Sequence, residues 1–311
     1  MLPAAVSVLS AALVGGAPVA ATVLGVHGPA LYLDVAGRVL PVVTSDAVPL
    51  PTALRLAAAG GRVHWGVVAG DVVPVGDGRV VLPGLELVVA RTWRPARVRR
   101  VPASALSPLP ALSPLPALSP HPALSPHTAL APLLRSHSGG GEDDGWLADG
   151  IRALFSTVVC PGGRPGSHLS TRLGEDAVAG LVGRGPGLTP SGDDALAGAL
   201  LVAHALGTAG PLATAVRARL DATTAVSAAL LDAAADGFAA RDVVTLVDAA
   251  VAGDHAAVAA VLPQVLAIGH SSGRDLVTGV AVALACLTAT ATAAAGTTEP
   301  TDLTPTGRSA A

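Results

Sequence analysis

Residues 105–134 repeat a six-residue unit: 105–110, 111–116, 117–122, 123–128 and a degraded fifth copy, with proline recurring throughout. Proline gives no N–H to a helix or sheet ladder and fixes φ, so closely spaced prolines forbid both elements. The repeat therefore reads as an extended or disordered connector, and it divides the 311 residues into two foldable parts. The expected division is a β-rich domain at 1–100, a proline-rich linker at 101–145, a helical domain at 146–295 and a disordered tail at 296–311. His121, His127 and His137 fall in or beside the repeat. Their spacing follows the repeat rather than a metal-ligand pattern.

Before the connector, short runs rich in Val and Leu alternate with turn residues at 20–26, 30–35, 38–44, 62–69, 72–75, 80–82 and 85–91. That spacing predicts a small antiparallel sheet or barrel. Gly76-Asp77-Gly78 between Val-rich runs marks a tight hairpin. After the connector the period becomes helical, over 147–159, 175–182, 195–206, 211–235, 241–250, 255–268 and 276–293, with Gly or Pro between most segments. The expected fold class is α+β: a small N-terminal antiparallel β domain followed by a compact, mainly helical C-terminal domain.

Composition removes several functions. All 19 basic residues are Arg, so a Walker-type phosphate lysine, a Schiff base and a lysine general base are excluded. A net charge of −3 argues against nucleic acid. The one basic cluster, Arg91, Arg94, Arg97, Arg99 and Arg100, reads as a solvated domain edge. Cys160 and Cys286 lack metal-ligand spacing and form no disulfide framework. The apolar stretch 1–24 carries no basic n-region, since the first Arg is Arg38. The run 276–294 is rich in Ala and Thr with Gly279 inside it, which suits a core helix better than a membrane span. A cytoplasmic protein with no membrane and no nucleic-acid partner is expected.

The chemistry concentrates in two loop-to-helix junctions. Gly183-Arg184-Gly185-Pro186-Gly187-Leu188-Thr189-Pro190-Ser191-Gly192-Asp193-Asp194 runs straight into the apolar segment 195–206. The pattern Ser-Gly-x-Asp-x-x-x-Gly at Ser191, Gly192, Asp194 and Gly198 returns at Ser272, Gly273, Asp275 and Gly279. In each copy Ser and Asp can form a capping box. The glycines exceed what a cap needs, which implies positive φ or close approach by another group. If the junctions meet, free N–H groups of Gly192, Asp193, Gly273 and Arg274 could hold a carboxylate, carbamoyl or phosphate. Gly185 and Gly187 would shape the loop, and Thr189, Ser191, Ser271 and Ser272 would add hydroxyls. Arg274 could form a bidentate bridge to an anion. The catalytic candidates are Asp193, Asp194, His270 and Asp275; His270 is suited to proton exchange near neutral pH. Adjacent Asp193 and Asp194 repel an anion unless one caps the helix, accepts from a ligand N–H or holds Mg2+ bridging to phosphate. No other cofactor is indicated. Thr223, Thr224 and Ser227 lie where they could reach the same pocket or bond back to the preceding turn. His204, on an apolar face, reads as a core histidine.

Three segments in this order resemble a known bacterial family: Gly185 to Asp194, then Thr224-Ala225-Val226-Ser227, then Ile268-Gly269-His270-Ser271-Ser272-Gly273-Arg274-Asp275. The family, long described only as a domain of unknown function, includes the AllH-type subunit of oxamate carbamoyltransferase. The similarity is read from about Ala20 into the last helix, with the proline repeat as an insertion. The resemblance implies a role in anaerobic purine or allantoin breakdown, where a complex of different subunits interconverts oxalurate and phosphate with oxamate and carbamoyl phosphate. It implies a carbamoyltransferase subunit or relative that binds a small carboxylate or carbamoyl ligand at the paired junctions, alongside other subunits. The competing readings are a non-catalytic assembly or scaffold subunit and, further off, a small-molecule kinase.

Overall fold

A computed structural model describes residues 1–101, 145–159 and 168–295. The proline repeat with its histidines, Cys160 and the tail beyond 295 lie outside the described residues.

Eight strands form a closed barrel: β1 (Leu2–Ser7), β2 (Val19–His27), β3 (Ala30–Val35), β4 (Arg38–Val43), β5 (Leu54–Leu56), β6 (Val72–Gly76), β7 (Arg79–Leu82) and β8 (Leu85–Trp93). They close in the order β1-β5-β4-β3-β2-β6-β7-β8, and a short helix, α1 (Ala11–Gly15), follows β1. Alternation fills the interior. Val23, Leu31, Leu33, Leu40, Val42, Leu54, Val75, Val80 and Leu87 point inward and are essentially inaccessible to solvent. The two hairpins are set by turn chemistry. Asp77 and Gly78 have φ of 49° and 74°, and Ala36 and Gly37 have φ of 53° and 79°, the paired positive values of a type I′ turn. The Asp34 carboxylate accepts from the Gly37 N–H at 2.7 Å and fixes the second turn.

The barrel corrects the expected antiparallel β domain. Strands β1 and β8 pair in parallel, as do β4 and β5, so the sheet is mixed and closed. The runs at 20–26, 30–35, 38–44, 72–75, 80–82 and 85–91 are strands. The run at 62–69 is instead a short 3-10 turn (Gly60–Arg62) followed by irregular chain, and β1 and β5 supply the missing staves. Parallel pairing needs a crossover, supplied between β4 and β5 by residues 44–53, and such a connection leaves no hairpin signature in the sequence.

The second layer is helical: α2 (Gly145–Leu154), which continues into a π turn (Phe155–Val159), α3 (His168–Ala179), α4 (Ser191–Ala205), α5 (Ala209–Arg217), α6 (Ala225–Ala235), α7 (Arg241–Ala252), α8 (His255–Leu266) and α9 (Ser272–Ala295). The expected single helix over 211–235 is two helices. Thr223 is extended at φ −128° and ψ −177°, and Thr224 caps α6 by accepting from the Ser227 N–H at 3.1 Å. Helix α4 is the hub. Every residue from Gly192 to Ala205 except Ala197 is buried, the mark of a helix packed on all sides. Its strongest neighbour is α9, against which it lies backbone to backbone. A Cβ on Gly198 would overlap the Leu276 carbonyl, and a Cβ on Gly279 would overlap the Ala195 carbonyl. These glycines occupy matching places in the two Ser-Gly-x-Asp copies, as do Ala195 and Leu276, so the contact is reciprocal.

The chain leaving the barrel is tied to the helices. Strand β9 (Ala96–Arg97) pairs with β10 (Phe238–Ala239), and the Val98 and Val101 N–H groups donate to the Gly237 and Ala205 carbonyls at 2.9 and 2.8 Å. Arg97 donates to the Asp236 carbonyl at 2.8 Å and lies over the Phe238 ring, and Arg99 pairs with Asp248 at 3.1 Å. Part of the arginine cluster thus docks one layer on the other. His204 is buried, as expected of a core histidine, and burial lowers its pKa. Among the described residues no helix is long and apolar enough to cross a membrane.

Candidate functional site

The two junctions meet. The Thr189 and Ser272 hydroxyls are 2.9 Å apart, which joins the loop before α4 to the first turn of α9. Both side chains face a cavity of about 430 Å3 between the barrel and the helices, and Asp194 faces it with them. The barrel side brings His27, Tyr32 and Asp46; the helical side is otherwise apolar, with Leu201, Phe238, Ile268 and Leu276.

The two neighbouring aspartates have different environments. Asp193 is 1% exposed and spent on structure. One oxygen accepts from the Gly183 N–H at 2.8 Å and the other from the Thr223 hydroxyl, so the carboxylate staples the turn before α4 to the approach to α6. Asp194 is 8% exposed, and its Oδ2 has no hydrogen-bond partner. A buried carboxylate oxygen left unsatisfied is costly. Burial raises the Asp194 pKa from 3.8 to about 7; the Asp275 and Asp193 charges push the same way, and the Ser272 and Thr189 hydroxyls oppose the rise. Near neutrality this group can both accept and give a proton.

Asp275, the counterpart of Asp194 in the second copy, is also buried and close enough to raise its neighbour's pKa. It does not line the cavity. His270 and Arg274 are exposed, Ser191 and Ser271 are half-buried and Ser227 is buried, all outside the cavity lining. Gly185 and Gly187 hold φ of 121° and 94° on the loop surface.

Two expectations about the junctions change. Neither Ser acts as an N-cap: Pro190 precedes α4 without a side-chain cap, and Ser191 and Ser272 are already the first residues of their helices. The N–H groups expected to hold an anion are largely engaged, Gly192 with the Arg184 carbonyl at 2.9 Å, Asp193 with Pro190 at 2.9 Å and Gly273 with Ile268 at 3.0 Å. Gly192 and Gly273 serve close packing, since a Cβ would overlap the Leu181 and Val265 carbonyls respectively.

Sequence reasoning missed the barrel's share. Tyr32 is half-buried on β3, and burial raises its pKa. Asp46 accepts from the Thr44 hydroxyl at 2.6 Å and the Gly60 N–H at 2.8 Å, which lower its pKa. The Thr-Ser-Asp turn after β4 was the available signal, but nothing local points it at a helix 150 residues away. Among the described residues no group of three or more His, Cys, Asp or Glu is placed to hold a metal ion.

Residues 181–284 match the model of a family described as oxamate carbamoyltransferase subunit AllH. The match begins at the turn before the first junction and ends within α9, so the resemblance read from the motifs is borne out over this segment. No solved structure matches the chain.

Proposed function

We propose that the chain is a subunit or relative of an oxamate carbamoyltransferase-type complex, and that the cavity between barrel and helices is its ligand site for a small carboxylate or carbamoyl compound. The observation that carries this reading is the meeting of the two junctions at one cavity, with the buried Asp194 carboxyl among its lining. The family match over 181–284 includes both junctions and supports the same reading. Asp194 would accept from the ligand's amide N–H, and the Thr189 and Ser272 hydroxyls would orient the carbonyl beside it. If the chain contributes to catalysis, its share is positioning and proton exchange at Asp194. The test is calorimetric titration with oxamate, oxalurate, carbamoyl phosphate and phosphate, with and without magnesium, on the intact chain and on Asp194→Ala. Saturable binding lost in the variant supports the proposal; binding that survives unchanged sinks it.

A second reading, a non-catalytic assembly subunit, is favoured by one observation. The glycines and N–H groups of both junctions are consumed by internal packing. On that reading a well-folded chain binds none of these compounds, and Asp194 only shapes the fold.

A further inference from the structure

We infer that the cavity takes a ligand with an apolar body and an N–H-donor head, the head seated on Asp194 and no anionic group inside. The inference rests on the reading that this cavity is a ligand site, and it narrows the chemistry of what enters.

Charge excludes the anion. Among the described residues the lining contains the carboxylates of Asp46 and Asp194 and no arginine. Behind Asp194 stand two further buried acids, Asp193 and Asp275. Among the described lining residues the one group able to carry positive charge is His27, exposed at the barrel edge 6.1 Å from the Tyr32 ring. An anion driven into this cavity would lose its hydration against like charge with nothing buried to pair it. An amide or ammonium head instead meets an acceptor, the Asp194 carboxyl that lines the cavity.

Size and lining set the body. A volume of about 430 Å3 falls in the range that holds drug-sized ligands and greatly exceeds what a molecule as small as oxamate fills. The walls are Leu50, Leu201, Phe238, Val243, Ile268 and Leu276. They offer an aliphatic or aromatic body its full hydrophobic gain, while the remaining polar lining, His27, Tyr32 and Asp46, lies on the barrel side. A carbamoyl compound that uses this cavity therefore carries its amide inward and any charged end toward the open side.

The probes are hexanamide, hexylamine and hexanoate, titrated calorimetrically into the full chain at pH 8. The amide and the amine are expected to bind saturably, and hexanoate at least about ten-fold more weakly. Asp194→Asn keeps the shape and removes the charge; it should weaken hexylamine by about ten- to hundred-fold, the worth of a hydrogen bond to a charged group. Ala197→Leu, which fills the cavity from α4 while keeping the Asp194 carboxyl, should weaken all donors alike. Hexanoate binding as tightly as hexanamide, or hexylamine unaffected by Asp194→Asn, overturns the inference. Oxamate and carbamoyl phosphate in the same series separate the two claims. Donor binding without either of them sinks the carbamoyl reading alone. Oxamate binding lost in Asp194→Ala, with no donor bound, sinks this inference alone. Binding of none sinks both.

Discussion

Replacing Asp194 by Asn should make the protein more stable at alkaline pH, and the size follows from its surroundings. In the unfolded chain this carboxyl titrates near 3.8; in the folded chain it titrates near 7, chiefly because burial disfavours the ionised form. Between these values the folded state holds a proton that the unfolded state has released. The stability this proton contributes is therefore complete below about pH 3.8, declines as pH rises, and is gone above about pH 7. The interval spans roughly three pH units at about 1.4 kcal/mol each, so wild type loses on the order of 4 kcal/mol through this one group. Asparagine has nearly the same shape and never ionises. Its stability relative to wild type should be near zero at pH 4 and rise toward that figure by pH 8.5, and the carboxylates not coupled to Asp194 cancel in the difference. Urea unfolding of both proteins across this range gives the difference directly. In thermal melts, each kcal/mol should appear as about 2–4 °C. Parallel profiles, or a variant that loses stability as pH rises, would refute the reasoning, because either would mean that Asp194 is ionised in the fold at little cost.

Other consequences are simpler to check. Thr223→Val removes a donor to the buried Asp193 carboxylate and should destabilise by about 1–3 kcal/mol in chemical unfolding; an unchanged midpoint would mean water replaces the hydroxyl. Gly279→Val drives a side chain into the Ala195 carbonyl and should cost at least about 1–3 kcal/mol, with helical content falling at lower temperature; a neutral result would contradict the close α4–α9 contact. Gly192→Val should fail by folding rather than by ligand loss alone, which a circular-dichroism melt distinguishes. Breaking the exposed Arg99–Asp248 pair with Arg99→Ala should cost no more than about 1 kcal/mol, and the same melt reads it.

The parts legible in the sequence were those set by local chemistry. The Asp77-Gly78 turn forces φ above zero, the inward Val and Leu alternate, and α4 is apolar all round, so the hairpin, six of the staves and the buried hub could be read from short windows. Closure could not, because β1 with β8 and β4 with β5 are parallel partners far apart or joined by irregular chain. The repeated Ser-Gly-x-Asp motif drew attention to two junctions that meet at one cavity, but its glycines have another use. Its glycines read as an anion cradle, whereas Gly192, Gly198, Gly273 and Gly279 let backbones touch. Likewise Asp193 and Asp194 look equivalent in sequence, and only the placement of Gly183 and Thr223 separates the satisfied acid from the one facing the cavity. The barrel residues Tyr32 and Asp46 join the cavity through tertiary contact, for which the chain carries no local mark.

The most direct test of the account is carboxyl titration by carbon NMR with and without hexanamide, with Asp194→Asn to assign the signal. The account predicts one carboxyl with a midpoint near 7, absent in the variant, that moves to lower pH when a ligand N–H donates to the Asp194 carboxylate. If every carboxyl titrates below about pH 5, or if the Asp194 midpoint is indifferent to saturating ligand, the cavity-facing acid is not the group that holds the ligand.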